Sequence, residues 1–318
     1  MINFYQKISI FFLIFSYLFI VTSFSIFGTT IEINQSFCGS YLVSNNEYYF
    51  SENITCLGND GFLVSGNQQN VTVNCNGYSY FGNSSRDVMN LFNEVDFRFY
   101  NCNFVNFSRA YLAGPDGFEF INVSFVNFSD NNAIYTSGLS NSLFKNIVVE
   151  NPQLNAFYMH FGVENVTFRN ISISDANVGL AFVATESNNL VDGLYLNNVY
   201  LGIKNPINNS VFRNLDLRNT TTPIDFDNTV FNLTFENSYM GNTSNILGFS
   251  SGGTDMVFSN NYYENFNGSS PFCVYSTVCD TNPNFAFVSS LDSASSSSFP
   301  SLNLIPILLI LFIFFLTL

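Results

Sequence analysis

Apolar and polar positions alternate with period two through most of the chain, and the alternation itself recurs every 21–24 residues. The copies run Phe97-Arg-Phe-Tyr-Asn101, Phe118-Glu-Phe-Ile-Asn122, Ser142-Leu-Phe-Lys-Asn146 and Val166-Thr-Phe-Arg-Asn170. They continue through Leu190-Val-Asp-Gly193, Val211-Phe-Arg-Asn214, Leu233-Thr-Phe-Glu-Asn237 and Met256-Val-Phe-Ser-Asn260, with Val71-Thr-Val-Asn-Cys75 as an earlier copy. Helical repeats need apolar spacings of three and four, so this pattern predicts strands. A second alternating run follows each Asn, as in Ile171-Ser-Ile173 and Leu215-Asp-Leu217. A third comes some ten residues later, as in Phe157-Tyr-Met159, Leu180-Ala-Phe182 and Ile224-Asp-Phe226.

Three short strands per repeat make one coil of a parallel β-helix. No coil can bury its inward side chains alone. Stacking places Phe99, Phe120, Phe144, Phe168, Phe212, Phe235 and Phe258 in one interior column. The recurring Asn101, Asn122, Asn146, Asn170, Asn214, Asn237 and Asn260 fall at a corner, where a left-handed backbone is tolerated and the amides can form a ladder. Gly193 replaces Asn once, as the other residue that accepts positive φ. The expected fold class is all-β: a single parallel β-helix of about eight or nine coils, roughly 40 Å long at strand spacing.

These Asn-cornered coils resemble the right-handed parallel β-helix proteins of the pectin-lyase-like superfamily. The stretch from Tyr48-Tyr-Phe-Ser-Glu-Asn-Ile-Thr-Cys56 to Val71-Thr-Val-Asn-Cys-Asn-Gly-Tyr78 is similar to the first coils of NosD-like surface proteins. The resemblance spans about residues 40–265. It implies a fold more firmly than an activity, because that superfamily holds lyases, hydrolases and non-enzymatic surface proteins.

The two ends read as addresses. Residues 1–28 carry one charge, Lys7, ahead of the apolar run Ile8 to Phe27, and small residues follow at Ser23, Ser25 and Gly28. That is the pattern of a signal peptide or of an N-terminal membrane anchor. Residues 289–301 form a Ser-rich stalk, and 302–318 are almost wholly Leu, Ile and Phe. This last segment fits a C-terminal transmembrane helix or a glycolipid-anchor signal. Between them lie an N-terminal cap with first strands (29–70), the β-helix (71–265) and a C-terminal cap (266–288). The expected location is outside the cell, with the chain anchored to the membrane through its C-terminal segment.

Six cysteines, all within residues 38–279, suit an exported chain with disulfides, and none has zinc-ligand spacing. Cys273 and Cys279 are close together and far from the rest, so they are expected to bridge each other. Cys38, Cys56, Cys75 and Cys102 staple the opposite end, in a pairing left open.

Composition narrows the function. The chain has 318 residues, of which 10% are charged, and 23 acids against 9 bases give a net charge of −14. No basic stripe can be assembled from that inventory, so nucleic acid is excluded as a partner. His160 is the single histidine, which removes any His dyad and any His-rich metal centre. No metal site and no cofactor are expected; the acidic field would attract divalent cations non-specifically, and Asp225 with Asp227 could hold Ca²⁺. Asn occurs 48 times and Phe 39 times, the first turning corners and the second filling columns and the apolar ends.

The polygalacturonase-like set of Asn-Thr-Asp, Asp-Asp and Gly-His-Gly does not occur. The repeat register places outward Tyr158 and His160, then Ala181 and Val183, Gly202 and Lys204, and Asp225 and Asp227. Lys204, Asp225 and Asp227 are therefore the candidate catalytic group, because two carboxylates beside a lysine suit glycoside chemistry. The plainer reading of the same residues is an exposed ion pair. A second outward column, Lys145, Arg169, Asp192, Arg213 and Glu236, alternates in sign as register-fixing cross-strand pairs do. Among many Asn-x-Ser/Thr sequons, Asn83, Asn208, Asn242 and Asn267 fall in corners or loops and are the glycosylation candidates. The sum points to a surface β-helix with a structural, adhesive or carbohydrate-binding role, its partners being polysaccharide or other surface proteins. A polysaccharide lyase or hydrolase is the alternative.

Overall fold

The computed structural model describes residues 28–283, apart from 59–60, 65–66, 184–186, 206–207, 227–230, 242–253, 264–271, 276–277 and 281–282. Both apolar ends, the Ser-rich stalk, Asp227, Asn242 and Asn267 lie outside the described residues. The chain winds as a right-handed parallel β-helix of about nine coils. Its described strands form one sheet of 15 and a second sheet of 9, and strands pair in parallel with their counterparts one coil away, except in a hairpin at the C-terminal end.

Each coil in the middle of the rod contributes one long strand and one short one. The long strands, such as Val95–Val105, Glu119–Val126, Leu143–Glu150 and Thr167–Ser174, contain the first two sequence runs of the repeat. They bend where Asn101, Asn122, Asn146 and Asn170 adopt φ between 53° and 57°. The three predicted runs are thus present, two of them joined through the corner. Short strands such as Asn132–Ser137, Asn155–Met159 and Val178–Phe182 build the other sheet.

The interior is a set of stacked columns. Phe99, Phe120, Phe144 and Phe168 pair in register, then Val191, Phe212, Phe235 and Phe258, and all eight are buried. Ring centroids of Phe144 and Phe168 lie 5.0 Å apart with planes 7° from parallel, and Phe212 and Phe235 lie 4.9 Å apart. One adjustment concerns Gly202, which the sequence register places outward. A Cβ there would meet Leu196 Cδ1 at 3.1 Å and the Pro223 carbonyl oxygen at 2.5 Å, so the position faces inward and is closed to larger residues.

Asparagine corners are more numerous than the sequence reading had them. Five residues before and five after the first corner stand two further columns with positive φ. One runs through Asp96, Gly117, Asn141, Asn165, Asn188, Asn209 and Asn232, the other through Asn106, Asn127, Asn151, Asp175 and Asn198. Each ladder amide points its Nδ2 toward the preceding coil: Asn146 donates to Asn122 Oδ1 (2.8 Å), Asn151 to Asn127 (3.0 Å), Asn165 to Asn141 (2.6 Å). These bonds satisfy corner groups that strand pairing cannot reach.

Two disulfides hold the N-terminal coils, Cys38–Cys56 and Cys75–Cys102. At the other end Phe272–Tyr275 and Val278–Asp280 pair antiparallel, with Cys273 opposite Cys279, and Cys279 is disulfide-bonded. Asp280 is buried there and accepts from Asn261 N and Nδ2 (both 3.0 Å) and from the Tyr263 hydroxyl (3.2 Å). No helix among the described residues is long and apolar enough to cross a membrane.

One interior position breaks its column. Glu94 precedes the strand Val95–Val105 and occupies the place held in the next three coils by Pro115, Leu139 and Val163. It is fully buried, and neither carboxylate oxygen has a hydrogen-bond partner. Burial pushes its pKa up to about 7; the amides of Glu94 and Phe92 oppose the shift without reaching hydrogen-bond geometry.

Candidate functional site

The structure brings Lys204 and Asp225 together: they are register partners on adjacent short strands. Their column continues backwards through Ala181, Tyr158, Tyr135 and Tyr111. Tyr111 and Tyr135 stack at 5.0 Å with planes 5° apart, and Tyr135 and Tyr158 at 5.7 Å, so each ring covers its neighbour's face. Arg109 lies 4.9 Å above the Tyr111 ring and is paired with Asp87 and Asp130. His160 packs among Tyr135, Tyr158 and Phe161. Among the described residues no three His, Cys, Asp or Glu side chains are grouped to hold a metal.

The outward charge column falls into cross-coil pairs. Asp192 meets Arg213 at 2.9 Å and Arg169 at 3.9 Å, and the Arg213 hydrogen bond holds its carboxyl below the usual range. Arg98 and Glu119 pair at 3.7 Å. In the predicted corner ladder, Asn122 donates to Asn101, Asn146 to Asn122 and Asn170 to Asn146. Gly193 interrupts it, Asn214 turns to Asp192 instead (2.6 Å), and Asn237 and Asn260 keep positive φ. Of the sequon residues, Asn83 uses Nδ2 on the Leu57 carbonyl, and Asn208 accepts from Phe231 N at 2.9 Å.

A different place offers an open concave surface. Where the long strands turn into the short ones, three successive coils form a groove of about 830 Å³. Asp175, Ala176 and Asn177 come from the first coil, Asn197, Asn198, Val199 and Tyr200 from the second, and Arg218, Asn219, Thr220 and Thr221 from the third. Backbone bonds tie the floor together: Tyr200 N to the Ala176 carbonyl (3.2 Å), Leu201 N to Asn177 (2.9 Å) and Val199 N to Asn219 (3.2 Å). Ala176, Val199 and Thr220 face in, so their neighbours face out.

The side chains divide into tied and untied groups. Asn198 donates to Asp175 Oδ1 at 2.7 Å and Asn219 to Asn197 Oδ1 at 3.3 Å. Arg218 is held by Asp216, with Nε 2.8 Å from Oδ1 and a second contact to Oδ2, and its guanidinium lies 5.1 Å over the Tyr239 ring. This hydrogen bonding raises the Arg218 pKa further, and the bidentate contact places its charge against the Asp216 carboxyl. By contrast, the Asn177 carboxamide and the Tyr200 hydroxyl make no hydrogen bond within the described protein, and the Tyr200 ring, 59% exposed, stacks on no other ring. An uncovered aromatic face beside an unengaged amide and a carboxylate with acceptor capacity left can pack a pyranose and bond its hydroxyls.

None of these groove residues stood out in the sequence reading. The usable signal was the five-residue spacing Asn141, Asn146, Asn151 and Asn209, Asn214, Asn219. Aligned on it, Asp175 stands out as an acid in an asparagine column.

No protein-family model and no curated protein matches the sequence. Among solved structures, the A-module of Azotobacter vinelandii mannuronan C-5 epimerase AlgE6 is similar, with a TM-score of 0.52 and 11% identity. The alignment covers 74% of this chain and 77% of that one. The AlgE4 A-module from the same organism gives 0.50 at 12% identity, over 74% and 79%. The catalytic domain of a GH87 α-1,3-glucanase in complex with nigerose gives 0.36 at 13% identity, over 74% and 53%. At these identities the likeness is one of fold.

Proposed function

We propose that this chain is an exported surface protein whose β-helix binds carbohydrate, in a structural or adhesive role, through the groove around Tyr200. The observation that carries this reading is the open Tyr200 ring beside Asn177 and Asp175, on a corner where other amides are spent on ladders. Support for export comes from the two N-terminal disulfides, which persist in oxidising compartments. The apolar segment 302–318 would tether the domain to a membrane. That the fold is shared with epimerase modules named for mannuronan supports a carbohydrate ligand without selecting one.

The test is a glycan array probed with the purified β-helix and with Tyr200→Ala. Binding to a defined set of glycans, lost by tenfold or more in the variant, is the expected result. A variant that binds as well as the parent would overturn it.

A second reading, a polysaccharide lyase or hydrolase, is favoured by the in-register pair of Lys204 and Asp225, to which Asp227 would add a second carboxylate. Shortened or unsaturated products formed by the parent and not by a folded Asp225→Ala variant would establish it.

A further inference from the structure

Resting on the groove reading, we infer that the ligand is a stretch of neutral glycan that presents adjacent hydroxyl groups, and that polyuronates are excluded. The groove contains one guanidinium and one carboxylate, and they are engaged in opposite ways. Arg218 is already charge-paired: Nε and a terminal nitrogen contact Asp216, and the Arg218 backbone amide also donates to Asp216 Oδ1 at 3.3 Å. The Asp216 side chain is 3% exposed, so it cannot turn away to release its partner into solvent. A uronate entering the groove would therefore find a cation whose charge is cancelled.

It would also find Asp175. Among the described residues no basic side chain pairs with this carboxylate; its one side-chain partner is the Asn198 amide. Asp175 takes the place of Asn127 and Asn151 in the preceding coils and of Asn198 in the next. Asn at 175 would donate to Asn151 Oδ1 and continue the ladder, as Asn151 does to Asn127. Asp leaves that link unmade and turns an acceptor-only group toward the groove. A carboxylate accepts from two hydroxyls at once and repels a second carboxylate. The net charge of −14 adds a long-range field of the same sign.

The remaining lining has no net charge. Asn177 offers two donors and an acceptor, and Tyr200 offers a ring face and a hydroxyl. The residues sit on three coils, so two coil steps at about 4.8 Å give a length of about 10 Å. That accommodates an oligosaccharide stretch better than one sugar.

The experiment titrates the intact protein with labelled gluco-, manno- and galacto-oligosaccharides and with oligomannuronate, at low and at physiological salt. At least one neutral series should bind, weakened tenfold or more by Tyr200→Ala and by Asp175→Asn, the latter chosen because Asn accepts the positive φ of that position. Oligomannuronate should not bind at either salt concentration. Oligomannuronate binding that is lost in Tyr200→Ala and in Arg218→Gln would overturn the neutral class while keeping the groove. Absence of binding by every series, or binding indifferent to Tyr200→Ala, would overturn the groove itself. Circular dichroism of each variant should match the parent.

Discussion

Two of the carboxylates that interrupt this repeat meet opposite fates, set by their surroundings. Glu94 replaces an apolar residue in an interior column, next in line to Pro115, Leu139 and Val163. Asp175 replaces an amide in an exterior ladder of asparagines. The first is sealed from water without a hydrogen bond and is held partly protonated near neutrality. The second stays in solvent with one amide partner and a free side toward a groove. An irregularity in a regular array is thus a stability cost when it faces in and a chemical opportunity when it faces out.

The largest effect should come from Glu94→Leu. Burial raises the folded-state pKa to about 7 from an ordinary 4.5, so between those values the folded chain holds the extra proton. Stability in the parent should therefore fall as pH rises from 4.5 through 7, by about 3 kcal/mol, with the full penalty present above 7. Denaturant midpoints across pH 4 to 8 should lose this slope in the variant. A slope that survives the substitution would mean that Glu94 is not the group responsible.

A regular ladder position supplies the contrast. Asn146 donates to Asn122 and accepts from Asn170, at φ 55°. Asn146→Ala loses both bonds and strains the corner, and should cost about 2 kcal/mol in the same denaturation assay. Asp175→Asn should move stability the other way, by about 1 kcal/mol or less, as the Asn151 link forms while glycan binding weakens. If binding were unchanged, Asp175 would be a mere gap in the ladder. The smallest effect is expected for Tyr135→Ala. Its ring is covered by Tyr111 and Tyr158, so glycan affinity should stay within twofold, with a modest loss of stability. A large affinity loss would move the binding surface to the short-strand sheet.

Much of the architecture was legible because a coil repeats its solution. The Phe columns, the first asparagine corner, the pairing of Lys204 with Asp225 and the sign alternation around Asp192 all follow from one periodicity. What escaped was of two kinds. The inward turn of Gly202 depends on a local change of side-chain direction that a strict period of two does not carry. The groove is assembled from Asp175, Asn177, Tyr200 and Arg218, which lie 43 residues apart from first to last and share no motif. Its signal was negative: a residue that fails to match its column, visible only after the two extra asparagine columns are recognised. Glu94 was hidden for the same reason, since an acid between short runs looks like an ordinary turn residue until the neighbouring coils show Leu139 and Val163 in its place.

The central claim concerns where carbohydrate sits. Backbone amide shifts of the intact β-helix, recorded while a bound neutral oligosaccharide is titrated, test it most directly. The shifts should concentrate on Asp175, Asn177, Asn198, Tyr200 and Asn219 and be absent in Tyr200→Ala. Shifts gathered instead on Tyr111, Tyr135 and Tyr158, or around Lys204 and Asp225, would contradict the account.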